Sequence, residues 1–546
     1  MANLRRFWVA VLLCIVPLSV ALADEGHEHG PAGGKLGTVK FPTSCDQSVQ
    51  KDFERAVAML HSFWYDESEK AFSAIAAKDP ECAMAYWGVA MSLHHPLWAP
   101  ASAAVLEKGS TAVTKARAAK KQTKRERGYV DTIARVYEGD EKRSIDDRNK
   151  AWAAAMEEVH RANPDDREAE IFYLLALRST APNGDRTYAI QRKVGPQLEK
   201  LFLEQPNHPG LPHYIIHTYD YPGLAEQGLD AARRYAKVAP DAPHALHMPS
   251  HIFVRLGMWP DAISSNVASA AAGRANAAKT GSAVAVSEQL HAMDYLVYAY
   301  LQRGEQAEAR KVWDELKNTQ ADWKILGAAY AASAIPARCA IETRHWVEAR
   351  ALPEPTFTGG SYWTEVANGI TYWARAVGAA RSRDLEGARA NIAKLESIRD
   401  ALLQSKKQDG ADTLEIMRLQ AAGWTAFAAG QKDEALRLLR TSADLEDRTD
   451  KHPVTPGPVL PAREQLADLL AESQRPGEAL REYKASLQTS PNRFNSLLGA
   501  ARSAEVADNS PEAKQFYTKL RQIAPNAEPE LLRNSNQSVA AKSDSK

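Results

Sequence analysis

The stretch PNHPGLPHYIIH at residues 206–217 is followed by a related stretch, PDAPHALHMPSH, at residues 240–251, 34 residues further along the chain. Both stretches begin with proline and end with two histidines four residues apart. A period of 34 residues is typical of an array of helical hairpins, in which each hairpin packs only on its neighbours. We therefore expect the two histidine pairs to occupy equivalent positions on stacked helices and to face one surface.

The same period recurs near the C-terminus of the chain. The corresponding residues there are Ala479 and Ala513, Tyr483 and Tyr517, and Pro491 and Pro525. Small residues where two helices cross, an aromatic residue in the second helix and proline at its end resemble the tetratricopeptide repeat. The string HMPSHIF at residues 247–253 resembles an exported bacterial branch of that family. The resemblance implies an all-α fold, an α-solenoid coiled as a right-handed superhelix of about ten to twelve hairpins.

The first 23 residues predict a signal peptide. Arg5 and Arg6 precede an apolar run, and Ala21-Leu22-Ala23 provides a cleavage site with small residues. We therefore expect an exported protein, either in a bacterial periplasm or secreted. The predicted divisions are a signal peptide at 1–23, a flexible lead-in at 24–44, an N-terminal repeat array at 45–320, a C-terminal array at 321–532 and a disordered tail at 533–546.

The charge balance argues against nucleic acid or an anionic membrane as a partner. Lysine plus arginine number 68, as do aspartate plus glutamate, so the formal net charge is zero. No stretch beyond the signal peptide approaches the roughly 20 apolar residues that a membrane span needs. The family resemblance implies instead a concave groove that binds a peptide or a partner protein.

Three cysteines remain after the predicted cleavage. Export permits a disulfide. Cys45 and Cys82 precede or begin two successive helices of the same type, which a solenoid places side by side. We predict that they are bridged and that Cys339 is free and buried.

Seven of the fifteen histidines fall between residues 208 and 291. If Pro209 and Pro243 each take the first position of a repeat, several histidines and aspartates fall at positions two, five, nine and twelve. The resemblance implies that these positions line the concave groove, and spacings of three and four residues share one helix face. The predicted set is His213, His217 and Asp220, then His244, His247 and His251, then His291 and Asp294.

Neutral imidazoles suit zinc or copper, and an added carboxylate is compatible with either ion. We predict a transition-metal site in the groove, serving partner or ligand binding or metal handling. A metal-dependent hydrolase is an alternative, in which Asp220 or Asp294 orients a metal-bound water or acts as a base. A metal-free polar pocket and a plain interaction scaffold with a structural histidine network also remain open. Pro249 lies inside the second pair, which leaves two interpretations open: a helix that begins at Pro243 is kinked at Pro249, or the helix begins later.

Overall fold

The computed structural model describes residues 34–97, 102–140 and 142–527, and these residues form helices and no β-strand. The described residues from Leu36 onward form one compact unit. Two short 3₁₀ helices span Gln47–Val49 and Ala225–Gly228. The α-helices are α1 Gln50–His61, α2 Tyr65–Lys78, α3 Ala83–Ser92, α4 Ala103–Ala118, α5 Lys124–Tyr137, α6 Ile145–Ala162, α7 Arg167–Arg178, α8 Ala189–Glu204, α9 Gly210–Tyr219, α10 Leu229–Val238, α11 Pro243–His247, α12 Pro249–Arg255, α13 Trp259–Thr280, α14 Ala283–Gln302, α15 Gln306–Lys317, α16 Leu326–Glu342, α17 Trp346–Arg350, α18 Tyr362–Arg381, α19 Leu385–Gln404, α20 Gln408–Ala428, α21 Lys432–Glu446, α22 Ala462–Glu472, α23 Pro476–Thr489, α24 Phe494–Val506 and α25 Ser510–Ile523.

Local sequence explains why these segments become helices and where they pack. Thr123 and Glu126 form a capping box at the start of α5, which satisfies backbone N–H groups that the first turn leaves unpaired. Glycine allows the closest helix crossings. A Cβ atom at Gly88 would lie 2.2 Å from the Phe72 ring, and one at Gly499 would lie 2.2 Å from the Tyr483 ring.

The helices stack as a solenoid. Each helix packs on the next one in the chain, and alternate helices such as α14, α16, α18 and α20 pack in series. The predicted all-α solenoid is therefore confirmed. The array also contacts itself over a long distance, because α14 meets α24 and the Trp259 indole N–H donates to the Asn492 carbonyl oxygen at 2.8 Å.

The N-terminal part of the described chain is packed. Phe41 is fully buried and its ring lies against those of Phe53, Trp87 and Tyr129. Residues 36–41, which the sequence placed in a flexible lead-in, are instead held by these apolar contacts. The predicted signal peptide, the lead-in up to residue 33 and the predicted tail lie outside the described residues.

The cysteine predictions are confirmed. Cys45 and Cys82 form a disulfide with their Cα atoms 4.8 Å apart. Cys339 is free and buried. As for a membrane span, none of the helices in the described parts of the chain combines enough length with enough apolar character to make one.

The helix that begins at Pro243 is interrupted, as predicted. Met248 separates α11 from α12 because Pro249 has no N–H to continue the hydrogen-bond ladder. The backbone of Met248 keeps helical angles, with φ −53° and ψ −36°. His247 and His251 meet across this break, with their Nε2 atoms 3.1 Å apart.

The connection between α21 and α22, residues 447–461, contacts residues of the array that are distant in sequence; we call it the inner segment. Lys451 Nζ lies 3.0 Å from Asp220 Oδ2, although 231 residues separate them. The His452 ring lies 4.3 Å from the Trp363 ring. Arg338 donates hydrogen bonds to the carbonyl oxygens of Gly457 and Pro458 at 3.0 Å. The inner segment thus packs against the end of α9 and against α16 and α18.

Candidate metal centre

The histidines of the predicted site form two clusters of three. Triad A consists of His213, His217 and His244, and triad B consists of His247, His251 and His291. Within each triad the ligand nitrogens lie within 4.8 Å of one another. The sequence predicted one set of eight residues; the structure divides its histidines into two triads and places both aspartates outside them.

The repeat explains how each triad is assembled. Helix α9 contributes His213 and His217 to triad A, and the following repeat contributes His244 from α11. Helices α11 and α12 contribute the pair of triad B, and α14 of the next repeat contributes His291. Each triad therefore combines one four-residue pair with one histidine of the following repeat.

Hydrogen bonds fix the tautomers of two rings in triad B, those of His247 and His251. Asn266 donates through Nδ2 to the Ala262 carbonyl oxygen, so its Oδ1 accepts from His247 Nδ1 at 2.7 Å. His251 Nδ1 donates to Asp220 Oδ2 at 2.9 Å. A neutral imidazole carries one ring proton, so the Nε2 atom of each ring holds an unshared lone pair.

These two lone pairs face each other. His247 Nε2 and His251 Nε2 are 3.1 Å apart, and both side chains are buried. The Tyr295 hydroxyl is 3.4 Å from both nitrogens of His251, which is long for a hydrogen bond. Two nitrogens bound to one tetrahedral zinc at about 2.0–2.1 Å would lie about 3.3 Å apart. The pair therefore has the spacing of two ligands to one cation.

Triad A has similar features. His213 Nδ1 donates to the His61 carbonyl oxygen at 2.6 Å, which leaves the lone pair on Nε2. His213 is fully buried, and its Nε2 has no hydrogen-bond partner among the described residues. The ring centroid of His213 lies 4.9 Å from that of His217 and 5.1 Å from that of His244.

All six rings are held neutral at ordinary pH. Burial lowers the pKa of every one of them. Neighbouring imidazoles lower it further at every ring except His251, where Lys451 and Arg255 do so. For His247 the pKa falls to about 3. The Asp220 carboxylate opposes this effect at His251, where it raises the pKa against burial. Neutral imidazole is the form that binds a metal ion.

Acid should destabilise the metal-free protein. The unfolded chain takes up protons on these histidines as pH falls below their ordinary pKa of 6.5, whereas the folded rings resist protonation down toward pH 3 at His247. The contribution of these rings to the free energy of unfolding is complete above pH 6.5. As pH falls below 6.5, the free energy of unfolding should decrease by about 1.4 kcal/mol per pH unit for each ring that stays neutral. Urea unfolding of chelator-treated protein between about pH 7.5 and pH 5 measures this slope. His247→Gln should make it shallower, and a stability independent of pH would contradict the expectation.

The two predicted carboxylates are engaged by cations. Asp220 binds Arg255 Nε through Oδ1 at 2.8 Å and Lys451 Nζ through Oδ2. Burial raises the pKa of Asp220, but Lys451 and Arg255 outweigh it and hold the pKa well below 3.8. Asp294 Oδ1 accepts from Arg338 Nε at 2.8 Å. Asp220 thus orients the His251 ring through its Nδ1 proton. Asp294 belongs to a separate buried ion pair with Arg338.

The sequence did not predict a third cluster, formed by His61, Glu168 and His208. His61 Nε2 and His208 Nε2 each donate to a different oxygen of Glu168 at 2.9 Å. The Tyr214 hydroxyl satisfies the other nitrogen of His61, and the Gly210 N–H satisfies that of His208. Because every ring nitrogen is bonded, this cluster is a structural network. Its members come from three distant segments, so no local spacing could have indicated it.

No protein-family model and no curated protein sequence matches the chain. Among solved structures it is similar to yeast Tom70, with 11% identity, 91% of this chain and 96% of that chain covered, and a TM-score of 0.34. It is also similar to the human IFIT1 dimer with m7Gppp-AAAA, with 9% identity, 81% and 90% coverage, and a TM-score of 0.33. This likeness is too weak to carry an argument about the chain. The solenoid assignment rests on the helix packing, and the site on its own geometry.

Proposed function

We propose that this protein binds a transition-metal ion, zinc or copper, at triad B in the groove of its solenoid. The observation that carries the proposal is the 3.1 Å separation of His247 Nε2 and His251 Nε2. Two buried lone pairs at this distance repel each other, and a shared cation would turn that repulsion into two ligand bonds. His291, which is only half-buried, completes the ligand set.

The ligand chemistry selects the class of ion. Three neutral imidazoles suit zinc and copper, whereas magnesium and calcium require oxygen ligands. The atoms behind the rings support the same assignment. Asp220 accepts from His251 and Asn266 accepts from His247, and such partners typically fix the orientation of metal-binding histidines.

Metal handling or metal-assisted binding of a ligand fits this site better than hydrolysis. A zinc hydrolase needs a group that accepts the proton of the metal-bound water. Asp220 is already paired with Arg255 and Lys451, and Asp294 with Arg338. Neither carboxylate is therefore placed as a base.

Two further parts of the proposal depend on the sequence. Residues 1–23 favour export, so we propose that the protein binds its metal ion in a periplasm or outside the cell. A peptide or protein partner would share the groove with the inner segment, which contacts Asp220. Such a partner would bind next to this segment or displace it.

Metal analysis of chelator-stripped and reloaded protein tests the proposal. We expect zinc or copper, but not magnesium, to be retained after gel filtration. His247→Gln/His251→Gln should lose the tightly held ion, whereas His345→Ala, at an exposed histidine outside both triads, should keep it. Equal metal content in the wild type and the double variant would contradict the assignment to triad B.

Asp220→Asn should weaken zinc binding by about 10–100-fold without abolishing it. The amide cannot stabilise the His251 Nδ1 proton as a carboxylate does, so His251 becomes a less basic ligand. Competition with a chromogenic chelator measures the change in affinity. Asp230→Asn, which alters an exposed partner of Arg234, is the matched control and should bind zinc as the wild type does. An unchanged zinc affinity in Asp220→Asn would contradict the role of this carboxylate in supporting His251.

A further inference from the structure

We propose that triad A binds a second transition-metal ion, so that one chain holds two ions in adjacent repeats. This inference rests on the proposed function, because it extends metal binding from triad B to its neighbour. The class of ligand is the same, a zinc or copper ion bound by three imidazoles.

The 34-residue repeat relates triad A to triad B. His213 and His217 of triad A correspond to His247 and His251 of triad B at the 34-residue period. The third histidine comes in both triads from the helix of the following repeat. Both triads therefore combine a four-residue histidine pair with one histidine of the following repeat, and the same class of ion suits both. In the next repeat the position equivalent to His247 holds Asp294, which pairs with Arg338, so the histidine pairs do not continue there.

His213 supplies an independent observation. Its ring is fully buried, its Nδ1 proton is donated to the His61 carbonyl oxygen, and its Nε2 lone pair has no hydrogen-bond partner among the described residues. Leaving a buried acceptor unpaired costs about 1–3 kcal/mol. A metal ion bound at Nε2 satisfies this atom, and the carbonyl behind Nδ1 orients the ring as second partners of metal ligands do.

The two sites should differ in affinity. The ring centroids of His217 and His251 are 6.1 Å apart, and those of His244 and His247 are 6.2 Å apart. The two ions would therefore be close neighbours. No carboxylate is a member of either triad to screen their charges. Asp220 supports only triad B, through His251, whereas a neutral carbonyl supports His213. We therefore expect triad B to fill first and triad A to fill second, with weaker affinity.

Zinc titration of chelator-stripped full-length protein, followed by calorimetry and metal analysis, tests this order. The wild type and the His345→Ala control should bind two equivalents in two steps. His213→Gln/His217→Gln should lose only the weaker step, and His247→Gln/His251→Gln only the tighter one. If a double variant fails to fold by circular dichroism, His244→Gln provides a milder test, because this half-buried side chain lies at the edge of triad A.

The outcomes separate the inference from the proposed function. One equivalent in the wild type, unaffected by His213→Gln/His217→Gln or His244→Gln, would overturn the second site and leave triad B intact. No zinc uptake by the wild type would overturn both. Two steps that both survive the triad A variants would place the second ion elsewhere and overturn the inference.

Discussion

Replacing Arg493 with methionine is expected to lower the free energy of unfolding by about 3–5 kcal/mol. Arg493 is fully buried between two carboxylates, with Nε 2.9 Å from Glu464 Oε2 and Nη2 2.8 Å from Glu342 Oε1. Its Nη1 also donates to the Tyr298 hydroxyl at 3.1 Å. Methionine would fill much of the same space but would leave two buried carboxylates without their cation.

The position of Arg493 explains why the loss should affect the whole array. Glu342 ends α16, Glu464 lies in α22 and Tyr298 lies in α14, so one guanidinium joins helices that are far apart in sequence. Burial raises the pKa of Glu342, and Arg493 opposes that effect. Without the arginine, Glu342 would take up a proton or draw in water, and the contact between α14 and α24 would weaken.

Urea unfolding followed by circular dichroism measures this prediction. Arg440→Met, which removes an arginine from an exposed position of α21, is the matched control and should change stability by less than about 0.5 kcal/mol. Similar small changes in both variants would mean that the buried charge cluster does not hold the array together.

Zinc should stabilise the protein strongly. An ion that binds only the folded chain adds about 4 kcal/mol at a free concentration one thousand times its dissociation constant. The triads exist only when α9, α11, α12 and α14 are packed, so the unfolded chain cannot offer the same ligands. We expect a higher midpoint of thermal unfolding in the zinc-loaded protein than in the chelator-treated protein.

The triad B variants identify the source of this stabilisation. His247→Gln/His251→Gln should respond to zinc much less than the wild type, and His345→Ala should respond fully. A zinc response that is equal in all three proteins would indicate binding at other groups. Magnesium, which prefers oxygen ligands, should produce no comparable shift.

Local sequence was sufficient to predict the solenoid and the histidine pairs. The 34-residue period relates His213 to His247 and His217 to His251, and a repeat of this length forms stacked helical hairpins. The register also placed His244 and His291 at equivalent positions, which is why both became third members of triads. Pro249 was identified as a break for the same local reason, its missing N–H.

What the sequence could not predict depends on contacts between distant segments. Asp220 and Asp294 have suitable spacing for metal ligands, but arginines from other helices had already engaged them. The inner segment reaches Asp220 from 231 residues away, and no periodicity describes that path. Whether the histidines form one site or two was also undecided, because register gives the face of a helix and not the distances between rings.

X-ray absorption spectroscopy at the zinc edge of protein loaded with one equivalent tests the central claim most directly. The account predicts about three imidazole nitrogens at about 2.0–2.1 Å from zinc, with the outer-shell scattering of histidine rings, both in the wild type and in His213→Gln/His217→Gln, which keeps triad B intact. A first shell made mainly of oxygen, or an imidazole signature that is lost in His213→Gln/His217→Gln, would contradict a metal centre at triad B.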